Sequence, residues 1–170
     1  MLKKEKSSGH LKSNRTSLIT LLTISSFFAI LVATLPLQAV NAQLNPTTLQ
    51  SLLKTGYTNQ YVLKTQNSGD LTVKYSIIGG VLVGILPNGA LKAGDIVINP
   101  GGTGGTFIVQ IPRFALDAKN AQGQDVPFKV TIDGHGASWQ QTQSTNTDRV
   151  LAIAFGNSNR FIEITGTQVG

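Results

Sequence analysis

The segment from residue 57 to the end of the chain has the feature that limits the fold most strongly, an alternation of apolar and polar residues with a period of two. In residues 71–77 the odd positions are Leu, Val, Tyr and Ile, and the even positions are Thr, Lys and Ser. Successive side chains of an extended strand point to opposite faces, so this segment predicts a strand with one buried face. The pattern recurs in residues 107–111, 128–132 and 151–155, and further candidate strands are 60–64, 80–86, 95–98, 138–143 and 160–165.

Clusters of Gly, Pro, Asn and Asp separate these segments, at residues 67–70, 87–89, 100–102, 133–134 and 156–159. About eight or nine short strands at this spacing predict an all-β fold, an antiparallel β-sandwich over residues 57–170. The chain has no long helical pattern that could connect parallel strands, which disfavours an α/β fold. The Gly-rich segment 101–106 lacks the Gly-Lys-Ser/Thr ending of a phosphate-binding loop, and we expect it to be a flexible hairpin connection.

Residues 43–56 follow the helical rather than the strand period. Asn45 suits the N-cap, Pro46 the first helical position and Gly56 the C′ position. The leucines of this segment form one apolar stripe: Leu49, Leu52 and Leu53. We therefore expect a short amphipathic helix that leads into the sandwich and packs on it.

The first 42 residues have the three parts of a secretory signal peptide. A basic start is followed by an uncharged apolar stretch over residues 17–37, predicted to be helical and broken at Pro36. Small residues, Val40 and Ala42, then precede Gln43 at the positions that a signal peptidase requires. We expect cleavage between Ala42 and Gln43. The alternative is an uncleaved membrane anchor, because the apolar stretch is long enough to span a bilayer.

The positive charge of the chain belongs mostly to this leader. Residues 1–42 hold five Lys or Arg and one acid, a net charge of +4, whereas the rest holds nine bases and seven acids, a net charge of +2. The nine bases are scattered singly, so nucleic acid, whose phosphates require clustered Lys and Arg, is not an expected partner. The chain has no Cys, which excludes disulfides, thiol catalysis and Cys-based metal sites.

Two pairs of charged residues are candidates for a binding site in the strand-rich domain. Arg113 and Asp117 flank a turn after one strand, and Asp148 and Arg149 lie at the start of another. An Arg at a strand end can bind a carboxylate or a sugar, because its planar guanidinium supports two parallel hydrogen bonds. The alternative, which we favour, is a salt bridge that braces the corner.

Trp139 is the third candidate, because amide side chains at positions 140, 141 and 143 surround it. An aromatic ring beside amides can bind a sugar by stacking and hydrogen bonding; the alternative is burial of Trp139 in the core. His135 lies alone in a Gly-flanked turn, without the partners of a metal or catalytic site. The loop carboxylates lack the spacing of a calcium loop: Asp70, Asp95, Asp125 and Asp133. We therefore predict no catalytic residue, no metal and no cofactor.

The ordered motifs of the chain resemble a known group of proteins. They are residues 75–80 (YSIIGG), 107–113 (FIVQIPR), 116–119 (LDAK), 128–134 (FKVTIDG), 147–153 (TDRVLAI) and 161–167 (FIEITGT). This series resembles exported archaeal surface proteins, many of which carry a C-terminal sorting tail of the PEFG type. The resemblance implies an exported β-sandwich and no particular activity. The sequence stops at Gly170 without such a tail, so we do not expect anchoring by a sorting enzyme.

Taken together, these observations predict an exported, non-enzymatic β-sandwich at the cell surface, with a structural, adhesive or ligand-binding role. Its expected partners are cell-surface components or polysaccharide, and it would meet a membrane only through residues 17–37 if these are not removed. One alternative is a pilin-like filament subunit that keeps residues 17–53 as an apolar helix. A second is a secreted hydrolase that uses loop carboxylates. The sequence does not predict the oligomeric state.

Overall fold

The alternating segments form strands of two antiparallel sheets in a computed structural model that describes residues 42–64 and 69–169. These residues belong to one compact unit, Val40–Gly170. The predicted apolar helix over residues 17–37 and part of the predicted turn at 67–70 lie outside the described residues. The elements are α1 (Pro46–Thr55), β1 (Asn59–Leu63), β2 (Leu71–Ile78), β3 (Gly80–Asn88), β4 (Ala93–Pro100), β5 (Gly105–Pro112), β6 (Lys129–Ile132), β7 (His135–Gly136), β8 (Trp139–Ser144), β9 (Asp148–Phe155) and β10 (Phe161–Thr165).

The strands form two five-stranded sheets in which every neighbouring pair is antiparallel. Sheet A has the order β1-β2-β5-β9-β8, and sheet B has the order β3-β4-β10-β6-β7. The predicted all-β, two-sheet architecture is therefore confirmed. The strand that the sequence did not predict is β7, whose two residues pair with Thr131 and Ile132. A strand of two residues is too short to show a periodic pattern.

The core lies between the sheets, because alternate residues of the central strands point inward. Those of sheet A come mainly from β5 and β9, and those of sheet B from β4 and β10. They include Phe107, Val109, Leu151, Ile153, Ile96, Ile98, Ile162 and Ile164, all nearly inaccessible to solvent. Burial of each such side chain stabilises the fold by about 1.5–3 kcal/mol.

Helix α1 covers the outer face of sheet A, as its amphipathic pattern predicts. Asn45 Oδ1 accepts hydrogen bonds from the N–H groups of Thr47 and Thr48, and Gly56 N–H bonds to the Leu52 carbonyl beyond the last turn. The buried stripe is narrower than expected, because Leu53 is exposed. The cluster beneath the helix consists of Leu49, Leu52, Ile108, Val150 and Ala152. This contact explains why β5 and β9 are buried on both faces.

The Gly-rich segment 101–106 is not a hairpin connection, and that prediction is wrong. Its flanking strands, β4 and β5, belong to different sheets, so the segment is an arch that crosses the sandwich. A Cβ built on Gly105 would lie 1.8 Å from the carbonyl oxygen of Ile78. The arch therefore needs Gly for a close approach of two backbones.

Candidate functional site

The end of the sandwich where β5 stops and β9 begins holds two arginines and two aspartates. We call this group the arginine–aspartate cluster: Arg113, Asp117, Asp125 and Arg149. Asp117 lies at its centre and is only 1 % exposed. Its Oδ1 accepts hydrogen bonds from Arg113 Nη1 at 3.0 Å, Arg149 Nη1 at 3.3 Å and Ala118 N–H at 2.8 Å. One carboxylate thus joins two guanidinium groups whose residues are 36 positions apart in the sequence.

Arg149 is the most deeply buried charged side chain of the cluster besides Asp117, with 2 % of its surface exposed. A guanidinium has five N–H donors, and each Nη and the Nε of Arg149 donates to protein. The acceptors are Asp117 Oδ1, the carbonyls of Ala118 and Val126, and Gln141 Oε1. The guanidinium carbon lies 4.3 Å from the centre of the Phe128 ring, a cation–π contact. Arg149 therefore has its donors turned inward rather than toward a ligand.

Arg113 makes hydrogen bonds to three separate parts of the chain. Its Nη1 donates to both carboxylate oxygens of Asp117, and its Nη2 donates to Asp125 Oδ2 at 2.6 Å and Ser144 Oγ at 2.7 Å. Its Nε donates to the Thr145 carbonyl at 2.7 Å. Arg113 and Asp117 thus form the salt bridge that their spacing suggested, and Arg113 forms a second one with Asp125, which the sequence did not single out as a partner.

Backbone hydrogen bonds from the end of the chain hold the same loop. Thr167 N–H donates to the Asp117 carbonyl at 2.9 Å, and Asp117 N–H donates to the Gln168 carbonyl at 3.1 Å. The Thr167 hydroxyl accepts from Lys119 N–H and donates to the Lys119 carbonyl. The segment after β10 therefore fixes the backbone that carries Asp117.

The cluster changes the pKa values of its charged groups. Hydrogen bonding from Arg113 lowers the pKa of Asp125 to about 2. Burial acts to raise the pKa of Asp117, but hydrogen bonds from Arg113, Ala118 N–H and Arg149 bring it below the ordinary value. Hydrogen bonding to Asp125 in turn raises the pKa of Arg113. Asp117, Asp125 and Arg113 are therefore ionised throughout the neutral range.

Two of the predicted candidates do not join the cluster. Asp148 is adjacent to Arg149 on β9, so the two side chains point to opposite faces of the sheet. The Asp148 carboxylate accepts from the Thr147 hydroxyl at 2.6 Å. Trp139 is half-buried and packs against the core, directly opposite Ile153 of β9. Trp139 therefore has core contacts, and Gln141 on the same strand is an acceptor for Arg149.

The remaining polar candidates are dispersed. His135 is exposed after the turn at Asp133, and the Asp133 carboxylate accepts from the N–H groups of Arg160 and Phe161 at the start of β10. Asp95 faces Glu163 on the neighbouring strand of sheet B. Within residues 42–64 and 69–169, no group of three or more His, Cys, Asp or Glu side chains is close enough to hold a metal ion.

An apolar cleft opens at the same end of the sandwich, on the other side of the turn that follows β5. Its inner part, about 80 Å³, reaches between the sheets, and its outer part, about 380 Å³, opens to solvent. Both parts share five lining residues: Leu63, Leu71, Pro87, Ala93 and Ala115. Phe114, 68 % exposed, and Val169 lie at the mouth. We call these two parts together the apolar cleft.

Sequence reasoning missed the apolar cleft, because its walls come from six strands and a turn that are distant in the chain. The one local signal is Phe114, a large apolar residue in a predicted loop. The turn that carries Phe114 also links the cleft to the arginine–aspartate cluster. Arg113 points into the cluster, whereas Ala115 and Leu116 line the cleft.

The lowered pKa values predict that the protein loses stability in acid. A carboxylate whose pKa is lower in the folded state than in the unfolded chain binds fewer protons when folded. Its stabilising contribution is complete above about pH 5 and is lost as the pH falls toward about 2. The melting temperature measured by circular dichroism should therefore fall over this range. In Asp125→Asn the melting temperature at pH 7 should be lower and its decline in acid shallower.

Asp70→Asn is the matched control for this titration, because Asp70 forms a salt bridge with the exposed Lys64, outside the cluster. Its pH profile should follow that of the unmodified protein. Parallel acid declines in the unmodified protein and in Asp125→Asn would show that the salt bridge between Arg113 and Asp125 does not contribute to stability.

Comparison with protein-family models, with curated proteins and with solved structures finds no match for this chain. The resemblance to exported archaeal surface proteins therefore stays a prediction that depends on the ordered motifs. Among the described residues, no helix has the length and apolar character needed to cross a membrane.

Proposed function

We propose that this chain is an exported, non-enzymatic β-sandwich that binds an apolar chain at the cell surface. The observation that carries the proposal is the apolar cleft, with an inner part enclosed by the two sheets and an outer part that opens to solvent. Concave, mostly apolar clefts of about 300–1,000 Å³ are the usual sites of small-molecule binding. The outer part of this cleft alone lies within that range.

The shape of the cleft favours a narrow ligand. The inner part of about 80 Å³ is smaller than the cavity of about 150 Å³ that holds a benzene ring in an engineered protein. A linear alkyl chain is thinner than a ring and can extend from the inner part into the outer one. Asp70 and Asn88 line only the outer part, where they can meet the polar end of an amphiphile.

The geometry of the arginine–aspartate cluster supports a binding role rather than catalysis. A general acid or base must reach the proton that it transfers. Asp117 is closed to solvent, and its oxygens already accept from two arginines and a backbone N–H. The cluster instead holds the turn whose residues Ala115 and Leu116 form one wall of the cleft.

The start of α1 is evidence against the filament alternative. Asn45 is an extended N-cap, and residues 42–45 are not helical. One continuous helix over residues 17–53, as that alternative requires, does not fit this start. The hydrolase alternative has no accessible carboxylate at Asp117, the residue that it would use.

Narrowing the cleft where its inner and outer parts meet should weaken the binding of an alkyl probe. Ala115 is half-buried and lines both parts, so Ala115→Leu places three additional carbon atoms where the chain would pass. Isothermal titration calorimetry with decanol should show binding to the unmodified protein with a negative heat-capacity change. We expect the affinity of Ala115→Leu to be at least about tenfold lower, since burial of even a few methylene groups contributes that much.

The matched control is Ala121→Leu, which makes the same change at an exposed position in the same loop and should bind decanol normally. The protein is taken from the exported fraction of cells that express the full chain; if it occurs only in the cytoplasm, the export part of the proposal is wrong. If decanol does not bind, or binds equally to Ala115→Leu, the cleft is not the ligand site.

A further inference from the structure

Among the described residues, the outer part of the apolar cleft is lined by a single charged side chain, the carboxylate of Asp70. The other polar side chain of this lining is Asn88, whose amide is already used within the protein. Its Oδ1 accepts from Leu91 N–H, and its Nδ2 donates to Asp95 Oδ2. The remaining lining residues are Gly, Ala, Leu, Pro, Phe and Val. Within this described lining, the head group of a ligand therefore meets a negative charge and no positive one.

Three basic residues are sequence neighbours of lining residues, and none of them lines the cleft: Lys64, Lys92 and Arg113. Arg113 donates to the aspartates of the arginine–aspartate cluster, and Lys92 is exposed. Lys64 pairs with Asp70, but its side chain is 80 % exposed. An exposed ion pair of this kind contributes little to stability, because both groups are well hydrated when apart. A cation held in the cleft can therefore take the place of Lys64 beside Asp70.

An aromatic ring lies at the same mouth. Phe114 lines the outer part together with Asp70, and most of its surface is open to solvent. The face of an aromatic ring is electron-rich and attracts ammonium groups. The carboxylate and the ring both favour a positively charged head group, while the apolar walls behind them favour an alkyl chain.

We propose that the ligand of the apolar cleft is a cationic amphiphile, an alkyl chain that ends in an ammonium group. The inference rests on the proposed function, which assigns an alkyl chain to the cleft, and it adds the charge of the head group. The chain extends past Ala115 into the inner part, and the ammonium group stays in the outer part with Asp70 and Phe114. Asp70 is then the residue that distinguishes an ammonium group from a hydroxyl or a carboxylate.

The overall charge of the domain opposes this preference. Residues 43–170 hold nine bases and seven acids, a net charge of +2, so the domain as a whole attracts anions rather than cations. Tighter binding of an ammonium ligand must therefore come from the local charge at the mouth. The Asp70 side chain is 47 % exposed, and salt screens the interactions of an exposed charge. Added salt should weaken the binding of an ammonium ligand and leave that of an uncharged ligand nearly unchanged.

Three probes with the same ten-carbon length test the head group: decylamine, decanol and decanoate. At pH 7 the amine is protonated, as Lys is, and the acid is ionised, as Glu is. Isothermal titration calorimetry at low salt uses protein isolated from the exported fraction of cells that express the full chain. Decylamine should bind about three- to tenfold more tightly than decanol, and decanoate should bind less tightly than decanol. In Asp70→Asn the ratio of the decylamine affinity to the decanol affinity should fall about two- to fivefold.

Glu163→Gln is the matched control, because it also replaces a carboxylate with the amide of the same shape. Glu163 alternates with the buried Ile162 and Ile164 of β10, so it lies on the outer face of sheet B, outside the cleft lining. This variant should keep the affinity ratio of the unmodified protein. An equal fall in both variants would assign the preference to overall charge and overturn the inference.

The outcomes distinguish this inference from the proposed function. If decanol binds but decylamine binds no more tightly, or if the ratio is the same in Asp70→Asn, the inference is wrong and the proposed function stands. The same holds if decanoate binds most tightly, which would assign the head group to a basic residue such as Lys64, or if salt does not weaken decylamine binding to the unmodified protein. If decanol does not bind, the proposed function is wrong and this inference falls with it.

Discussion

Replacing Arg149 with Met should lower the free energy of unfolding by about 3–5 kcal/mol, the loss expected when one partner is removed from a buried ion pair. The substitution keeps much of the side-chain volume but removes every donor that Arg149 supplies. The buried carbonyls of Ala118 and Val126 and the Gln141 amide oxygen then lose a charge-assisted hydrogen bond. Asp117 is left with Arg113 as its direct guanidinium partner. Urea denaturation followed by circular dichroism measures the change.

Arg160→Met is the matched control for this experiment. The side chain of Arg160 is exposed, and among the described residues it donates to the carbonyls of Asn157 and Asn159, so its loss should change stability by no more than about 0.5 kcal/mol. If Arg149→Met is as stable as this control, the cluster is not a brace. A normal stability together with a lost binding activity would instead restore Arg149 as a ligand-binding residue.

Gly105→Ala should destabilise the protein by about 3 kcal/mol or more, at the upper end of the usual steric overpacking effect. The added Cβ would lie 1.8 Å from the Ile78 carbonyl oxygen and 2.9 Å from the Gly79 Cα. Both atoms belong to the backbone, so no side-chain rotation can relieve the contact. The start of β5 and the end of β2 would have to move apart. Thermal and urea denaturation both report this loss.

Gly102→Ala makes the same chemical change in the same arch, at a position with no atom within 4 Å of the added Cβ. Its stability should stay within about 0.5 kcal/mol of the unmodified protein. Equal effects at the two positions would mean that flexibility of the arch, rather than the close approach at Gly105, is what the glycines provide.

The strands could be predicted because the alternation of apolar and polar residues that marks a half-buried strand lies within one short segment. Residues 71–77 and 151–155 alternate on a two-residue period, and each became part of a strand at its expected place. Helix α1 was predictable for the same reason, since Asn45, Pro46 and Gly56 act within one segment. The path of the chain from one sheet to the other could not be predicted. A Gly-rich connection such as residues 101–106 has the same composition in a hairpin and in an arch.

In the arginine–aspartate cluster, too, some contacts could be predicted from the sequence and others could not. Arg113 and Asp117 are four residues apart on one turn, so their salt bridge could be expected from spacing alone. Gln141 and Arg149 reach the same place only because β9 lies between β5 and β8, and Asp125 reaches it through the loop between β5 and β6. The order of strands depends on distant pairings, which a single sequence pattern does not specify.

By itself, then, the sequence determined the fold class, the strand segments and the leading helix, because each depends on a local pattern of polarity or backbone preference. Only the tertiary structure decided which charged residues meet, where an apolar cleft opens and which strands lie at the sheet edges. These features depend on strand order and sheet packing. The burial of Arg149 beside Asp117 and the exposure of β3 both follow from that order.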